Sequence, residues 1–215
     1  MNKLQLFSTP IIIENHFDLV EELNALTDHH IVYAKNRDLQ EIEKRNAGID
    51  FSLGDKNWVY HSEYNLFDNP NFKKYHDLIG KKSREFLDEM GYDLSNYSLV
   101  YDQSWVQEFS ETGGGDHHFH IHSDTHISGF LFLKCSEKTS FPVFMDPRTA
   151  HIMMKLPEKD KNSIANSSEY INIKPKVGDM VMFPSYVSHS FSVDYGLEPF
   201  RIMHFTLKAI HNRYL

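Results

Sequence analysis

The sequence predicts one mainly β domain, an antiparallel sandwich or jelly roll backed by N-terminal helices, and three observations predict it. Hydrophobic periodicity changes near residue 95, from helical spacing to short alternating or continuous apolar runs. Those later runs are rich in β-branched and aromatic residues and are separated by glycine and proline turn signals. The 215 residues, 40% hydrophobic, suffice for one core without disulfides, and no repeat, low-complexity tract or long linker divides them. The expected organisation is a single domain, 1–215, with a helical part over 1–94 packing on a β core over 95–210.

In the helical part, "FDLVEELNALT" places Phe17, Val20, Leu23 and Leu26 on one helix face. "NPNFKKYHDLIGKKSREFLDEMGY" does the same with Phe72, Tyr75, Leu78, Ile79, Phe86 and Leu87, with Asn69-Pro70 as a start signal and Gly91 as a stop. The strands are expected in "YSLVYDQSWVQEFS", "ISGFLFLKC", "FPVFMD", "YINIKP", "DMVMFPS", "HSFSV" and "FRIMHFTLKAI". Gly113-Gly114-Gly115, Asp146-Pro147, Lys176-Val177-Gly178-Asp179 and Tyr195-Gly196 supply the turns between them. Tyr101 and Trp105 fall on one face of their strand and read as core. Helices confined to one end and many short strands after them make a helix-backed sandwich the economical packing.

The lone cysteine, Cys135, cannot form an internal disulfide, and the apolar patch in "MNKLQLFSTPIIIENHF" is too short and broken for a signal peptide or membrane span. A soluble, cytoplasmic protein is expected. The net charge of −8, with no lysine- or arginine-rich block, repels phosphate backbones and argues against nucleic acid as a general partner. No exposed apolar stripe separates from the core pattern, so the sequence carries no signal for an oligomeric state.

Five of the fourteen histidines, His117, His118, His120, His122 and His126, fall inside "HHFHIHSDTH". The run sits at the end of one expected strand, and "HISGFLFLK" opens the next across Ser123-Asp124-Thr125. On a strand His118, His120 and His122 share one face, and His117, Phe119 and Ile121 the other. Imidazoles two residues apart on a strand converge a few ångströms above it, as two neighbouring ligands of one metal ion must. A third ligand is offered by His189 in "GDMVMFPSYVSHSF", where a turn, an apolar strand and a proline-closed loop deliver a histidine to the sandwich mouth; Pro184 and Ser185 shape that loop. His117, His118 and His126 read as surface or supporting groups. Twelve positions after His189, Arg201 lies in the apolar strand "FRIMHFTL", where a buried guanidinium is costly without an anion. No acidic partner is obvious from the sequence, and a small dicarboxylate bound beside the metal would satisfy its planar fork.

These residues carry a resemblance over nearly the whole chain. "LFSTPI", "GDKNWVYHSEYNLF", "SWV", "HIHSDTHISGFLFL", "DPR" and "VGDMVMFPSYVSHSF" followed by the arginine of "RIMHFTL" stand in an order and spacing similar to the iron(II)- and 2-oxoglutarate-dependent oxygenases, most closely members from phages and marine bacteria. The resemblance implies a double-stranded β-helix holding Fe(II) at its mouth, with 2-oxoglutarate chelating the metal and its far carboxylate paired with Arg201. It implies consumption of O2, oxidative decarboxylation of 2-oxoglutarate and hydroxylation of an unknown substrate, in the cytoplasm, of a bacterial host if the chain is phage-encoded. The hard chemistry then belongs to metal and cosubstrate, and the protein binds, orients and excludes water.

One departure stands out, because the usual facial triad is two histidines and a carboxylate. Here His120-x-His122 with His189 gives a three-histidine site, whereas His122-x-Asp124 with His189 restores the carboxylate. In the members the chain resembles most, the His-x-His pair stands at a fixed distance before the "SG" that opens the next strand, and Ser128-Gly129 keeps that distance here, so the resemblance implies His120, His122 and His189; an all-histidine site also suits Zn(II) or Ni(II). Ser128 and Phe130 are expected to line or underlie the cosubstrate pocket, and Arg148 in "DPR" to be a second anchor. Two other readings compete: a cupin-like metal protein of different chemistry, which needs the histidines but not Arg201, and a non-catalytic jelly-roll binding module.

Overall fold

The computed structural model describes residues 7–47, 59–154 and 156–214; Leu6 of "LFSTPI" and residues 54–58 of "GDKNWVYHSEYNLF" lie outside them. The strands are β1 (Ile12–Asn15), β2 (Val59–His61), β3 (Tyr97–Phe109), β4 (His117–His120), β5 (Ile127–Lys134), β6 (Pro142–Met145), β7 (Tyr170–Asn172), β8 (Asp179–Pro184), β9 (His189–Phe191) and β10 (Arg201–His211). They pair in two antiparallel sheets, one in the order β1-β8-β5-β10-β3-β2 and one in the order β4-β9-β6-β7. Two helices, α1 (Val20–Asn46) and α2 (Lys73–Glu89), back the larger sheet. This is the expected helix-backed jelly roll.

Alternation sorts the core into two layers. Val106, Ile127, Leu131, Met180, Met182, Met203 and Phe205 face the helices, where they meet Leu23, Ile31, Tyr75, Ile79 and Phe86. Phe109, Phe130, Phe132, Phe144, Val181, Phe183, Phe191 and Ile202 fill the space between the sheets. At Gly129 the neighbouring strands of the same sheet crowd the backbone, and a Cβ would stand 2.4 Å from the Phe205 ring and 2.4 Å from the Val181 carbonyl oxygen. That explains the glycine of "SG" as a packing requirement.

Three local differences from the sequence reading have physical causes. The N-terminal part is not purely helical: the apolar run at β1 pairs with β8, and β2 pairs with the end of β3, so both extend the larger sheet. Helix α1 runs well past Thr27, because Ile31 and Ala34 continue its buried stripe and Lys35 and Arg37 tie its polar half to Glu108 and the His61 carbonyl. A bulge opposite Thr206/Leu207 skips Asp102 and reverses the parity of β3. Tyr101 consequently faces α2, donating its hydroxyl to the His76 carbonyl, while Trp105 faces between the sheets.

Turn chemistry follows the sequence. α2 is preceded by a turn in which the Asn69 side chain accepts from the Asn71 amide, and it stops at Gly91, with φ of 91°. Gly113, also left-handed, lets the β3–β4 connection lie against the β9–β10 connection, where the Gly114 amide donates to Asp194 and the Asp194 amide to Gly115. Among the described residues no helix is long and apolar enough to cross a membrane.

Candidate metal centre

β4 pairs with β9 so that His120 lies directly opposite His189. His122 follows two residues on, where the chain leaves the strand. The ring centroids are 4.4 Å apart for His120 and His189, 5.1 Å for His120 and His122, and 5.3 Å for His122 and His189. Among the described residues this is the one trio of histidine, cysteine or carboxylate side chains whose ligand atoms all lie within 4.8 Å of one another. Nitrogens on one ion stand about 3 Å apart, given metal–nitrogen bonds of about 2.0–2.1 Å, so small ring rotations complete the site.

The rings are held in the form a metal needs. The Nδ1 of His120 lies 2.8 Å from the His118 carbonyl and that of His189 lies 3.1 Å from the Val187 carbonyl. A carbonyl only accepts, so each Nδ1 carries the proton and each Nε2 presents its lone pair. Burial, reinforced by the neighbouring histidines, lowers His122 to about 4 and His189 to about 3, leaving both neutral at physiological pH. Three neutral imidazoles fit a divalent borderline ion such as Fe(II), Ni(II) or Zn(II).

A hydroxyl cluster joins the two ligand-bearing segments. Ser128 Oγ lies 2.8 Å from Ser185 Oγ, which is 2.9 Å from the Thr125 hydroxyl; the His122 amide donates to the Ser185 carbonyl and the Ser185 amide to the His126 carbonyl. Ser128 thus braces the loop carrying His122 against the segment leading to His189. Phe130 packs beneath, 6.3 Å from the His189 ring. Asp124 is exposed at a left-handed turn position and does not join the trio.

Other expectations are corrected. His118 does not share a face with His120 and His122: the pairing with β9 shifts between His117 and His120, and the His118 side chain is 95% exposed beside Asp116. Arg201 is buried but faces α1. Its Nε and Nη2 each lie 2.7 Å from Glu108 and its Nη1 lies 2.6 Å from Asp28, with Thr27 also in reach. The guanidinium expected to lack an internal anion therefore has two, and the fold does not bring it to the histidines. The partners were hidden because Glu108 sits on the neighbouring strand of the sheet and Asp28 on a helix 173 residues away in sequence. Arg148 is exposed, paired with Asp146 and the Asn166 carbonyl beside a cavity that the trio does not line.

His117, read from the sequence as a surface or supporting group, packs among His61, Phe109 and Phe191. Two features escaped the sequence reading: His204 stacks on Trp105 at 4.5 Å between the sheets, and a groove opens at the ligand-bearing loop. Beside His122 opens a groove of about 480 Å³ lined by Met90, Tyr92, Tyr97, Ile121, Asp124 and Tyr186, among others.

Residues 103–198, from β3 to beyond β9 and including all three histidines, match a family model described as "Putative 2OG-Fe(II) oxygenase". Comparison with curated protein sequences finds no match. Similar solved structures include AviO1 from Streptomyces viridochromogenes Tue57, at 12% identity and TM-score 0.57, covering 93% of this chain and 90% of that one. A Pseudomonas putida prolyl-4-hydroxylase follows at 13% identity and TM-score 0.52, covering 94% and 95%. HygX from Streptomyces hygroscopicus, solved with nickel and 2-oxoglutarate bound, is 8% identical with TM-score 0.51, covering 93% and 83%. These likenesses establish the fold, and the part of the chain that matches the 2OG-Fe(II) oxygenase family model is the stretch of the sheet core that carries all three histidines.

Proposed function

We propose that this protein binds Fe(II) through His120, His122 and His189 and oxidatively decarboxylates 2-oxoglutarate to hydroxylate a second substrate. The observation that carries the reading is the trio itself: cross-strand partners His120 and His189, with His122 beside them, each of the first two fixed to present Nε2. When bound, iron chelated by a 2-oxo acid supplies dioxygen activation, one oxygen atom leaving in succinate as carbon dioxide is released and the other entering a C–H bond.

The chain's own contribution is positional. Val187 and His118 carbonyls fix two ligand rings, and the Ser128–Ser185–Thr125 cluster sets the distance between the ligand-bearing segments. Phe130, Phe144 and Phe183 close the floor around His189 and keep water from its inner side. The groove at His122 offers tyrosine, methionine and isoleucine side chains, which favours a primary substrate with apolar surface reaching the metal from that side.

The test is turnover in the absence of primary substrate, followed as iron-dependent conversion of 2-oxoglutarate to succinate. Wild type should form succinate, and His189→Ala should not. Tyr186→Asp, in the groove, should leave this uncoupled reaction in place while weakening capture of an apolar substrate. Succinate formation that persists without the three histidines would remove the reading.

A further inference from the structure

The fold spends its buried arginine on Glu108 and Asp28, yet it leaves two unpartnered nitrogens on the face that looks toward the metal ligands. Gln107 is fully buried on β3. Its Oε1 accepts from the Trp105 indole N–H at 3.3 Å and also engages His61, which fixes the amide so that Nε2 points away from both. That Nε2 has no partner, and neither does Nε2 of His204, although both atoms are cut off from solvent. On the sheet Trp105 lies opposite His204 and Gln107 opposite Ile202, so Gln107 and His204 are diagonal neighbours on one face, within reach of a common small anion. Buried polar nitrogens without partners are rare and costly, and they call for a ligand or an ordered water. The cluster reaches the surface at His61 and His117, both only half-buried.

We infer that Gln107 and His204 form a neutral anchor for the far carboxylate of 2-oxoglutarate, in place of an arginine. The inference rests on the proposed function above. Charge supports it. A carboxylate-containing triad with a cationic anchor presents +2 −1 +1, a net +2, to the 2-oxoglutarate dianion. Three neutral histidines around a divalent ion with a neutral anchor present the same +2. A lost anionic ligand and a lost cationic anchor thus compensate each other. A carboxylate is acceptor-only, and the amide N–H of Gln107 and the Nε2–H of His204 are the donors it needs.

The experiment is an anaerobic equilibrium titration of the Fe(II)-loaded protein with 2-oxoglutarate and with 2-oxobutanoate, which keeps the chelating end and lacks the far carboxylate. The visible charge-transfer band reports binding. Wild type should prefer 2-oxoglutarate strongly. Gln107→Met and His204→Phe, which keep volume and remove the donors, should each weaken 2-oxoglutarate about tenfold to a hundredfold and leave 2-oxobutanoate unchanged. If His204→Phe fails to fold, Gln107→Glu, which sets a carboxylate against a carboxylate, should abolish the preference alone. An undiminished preference in folded, iron-replete Gln107→Met and Gln107→Glu overturns the anchor while the proposed function stands, the buried nitrogens then serving ordered water. Absence of any band in wild type that binds iron overturns both.

Discussion

Replacing Arg201 separates a structural role from a cosubstrate role. The residue is 3% exposed and ties β10 to β3 through Glu108 and to α1 through Asp28. Breaking a buried ion pair by removing one partner costs about 3–5 kcal/mol, because the other charge is left uncompensated. Here the loss is smaller than that upper figure. Burial pushes the Glu108 carboxyl up, but Lys35 at 2.6 Å together with Arg201 more than offsets it, and Lys134 stands at 3.7 Å. Those lysines remain in Arg201→Met, and the Asp28 side chain is 62% exposed and can turn to water. A loss of about 2–4 kcal/mol is therefore expected, and a shift of roughly 4–16 °C in Tm for a chain of this size. Urea unfolding and a thermal melt measure it, and the same sample is titrated with 2-oxoglutarate. The expected result is a less stable protein whose 2-oxoglutarate affinity is retained. Unchanged stability with 2-oxoglutarate binding lost would refute the reasoning and return Arg201 to the pocket.

Other perturbations bear on the metal centre and the packing. Saturating Fe(II) at about a hundred times its Kd should stabilise wild type by about 2.7 kcal/mol, an increment that His120→Ala or His189→Ala should lose and Asp124→Ala should keep, read as the metal-dependent shift in melting temperature. Gly129→Ala drives a methyl into the Phe205 ring and the Val181 carbonyl and should cost about 1–3 kcal/mol in denaturant unfolding; a neutral result would mean that the Phe205 ring moves aside easily. The metal-free protein should lose stability on acidification. His117, His122 and His189 have folded values of about 4, 4 and 3, below the ordinary 6.5, so between those limits the unfolded chain binds more protons and stability falls as pH drops. Each group contributes at most about 1.4 kcal/mol per pH unit in that window, and a melting temperature flat from pH 7 to pH 5 would contradict their burial as neutral rings.

Much of the architecture is legible in the chain because period and turn chemistry are local. The runs that became β5, β8 and β10 are apolar and β-branched or aromatic, and Gly91, Gly113 and Gly178 take the positive φ that their turn positions demand. The trio is legible because His120, His122 and His189 have spacing and loop context of their own. Parity is what fails. A single extra residue in β3 puts Tyr101 and Trp105 on opposite faces, and the irregular pairing of β4 turns His118 to solvent; neither bulge has a sequence marker. Arg201 fails for a related reason: its face is set by register, and its anions come from a strand and a helix far away in sequence. Gln107 and His204 were passed over because a glutamine and a histidine in apolar strands gain meaning only when the structure shows their nitrogens without partners. The pairing of β1 with β8 and of β2 with β3 is likewise a long-range contact that no window of sequence contains.

The most direct measurement is anaerobic addition of Fe(II) and then 2-oxoglutarate to metal-stripped protein, with iron per chain and the visible charge-transfer band recorded for wild type and His189→Ala. The predicted result is one iron per wild-type chain and a band that requires both additions, with neither in His189→Ala. Tight iron without a band, or equal iron in both proteins, would contradict a metal centre built from His120, His122 and His189 that receives a 2-oxo acid.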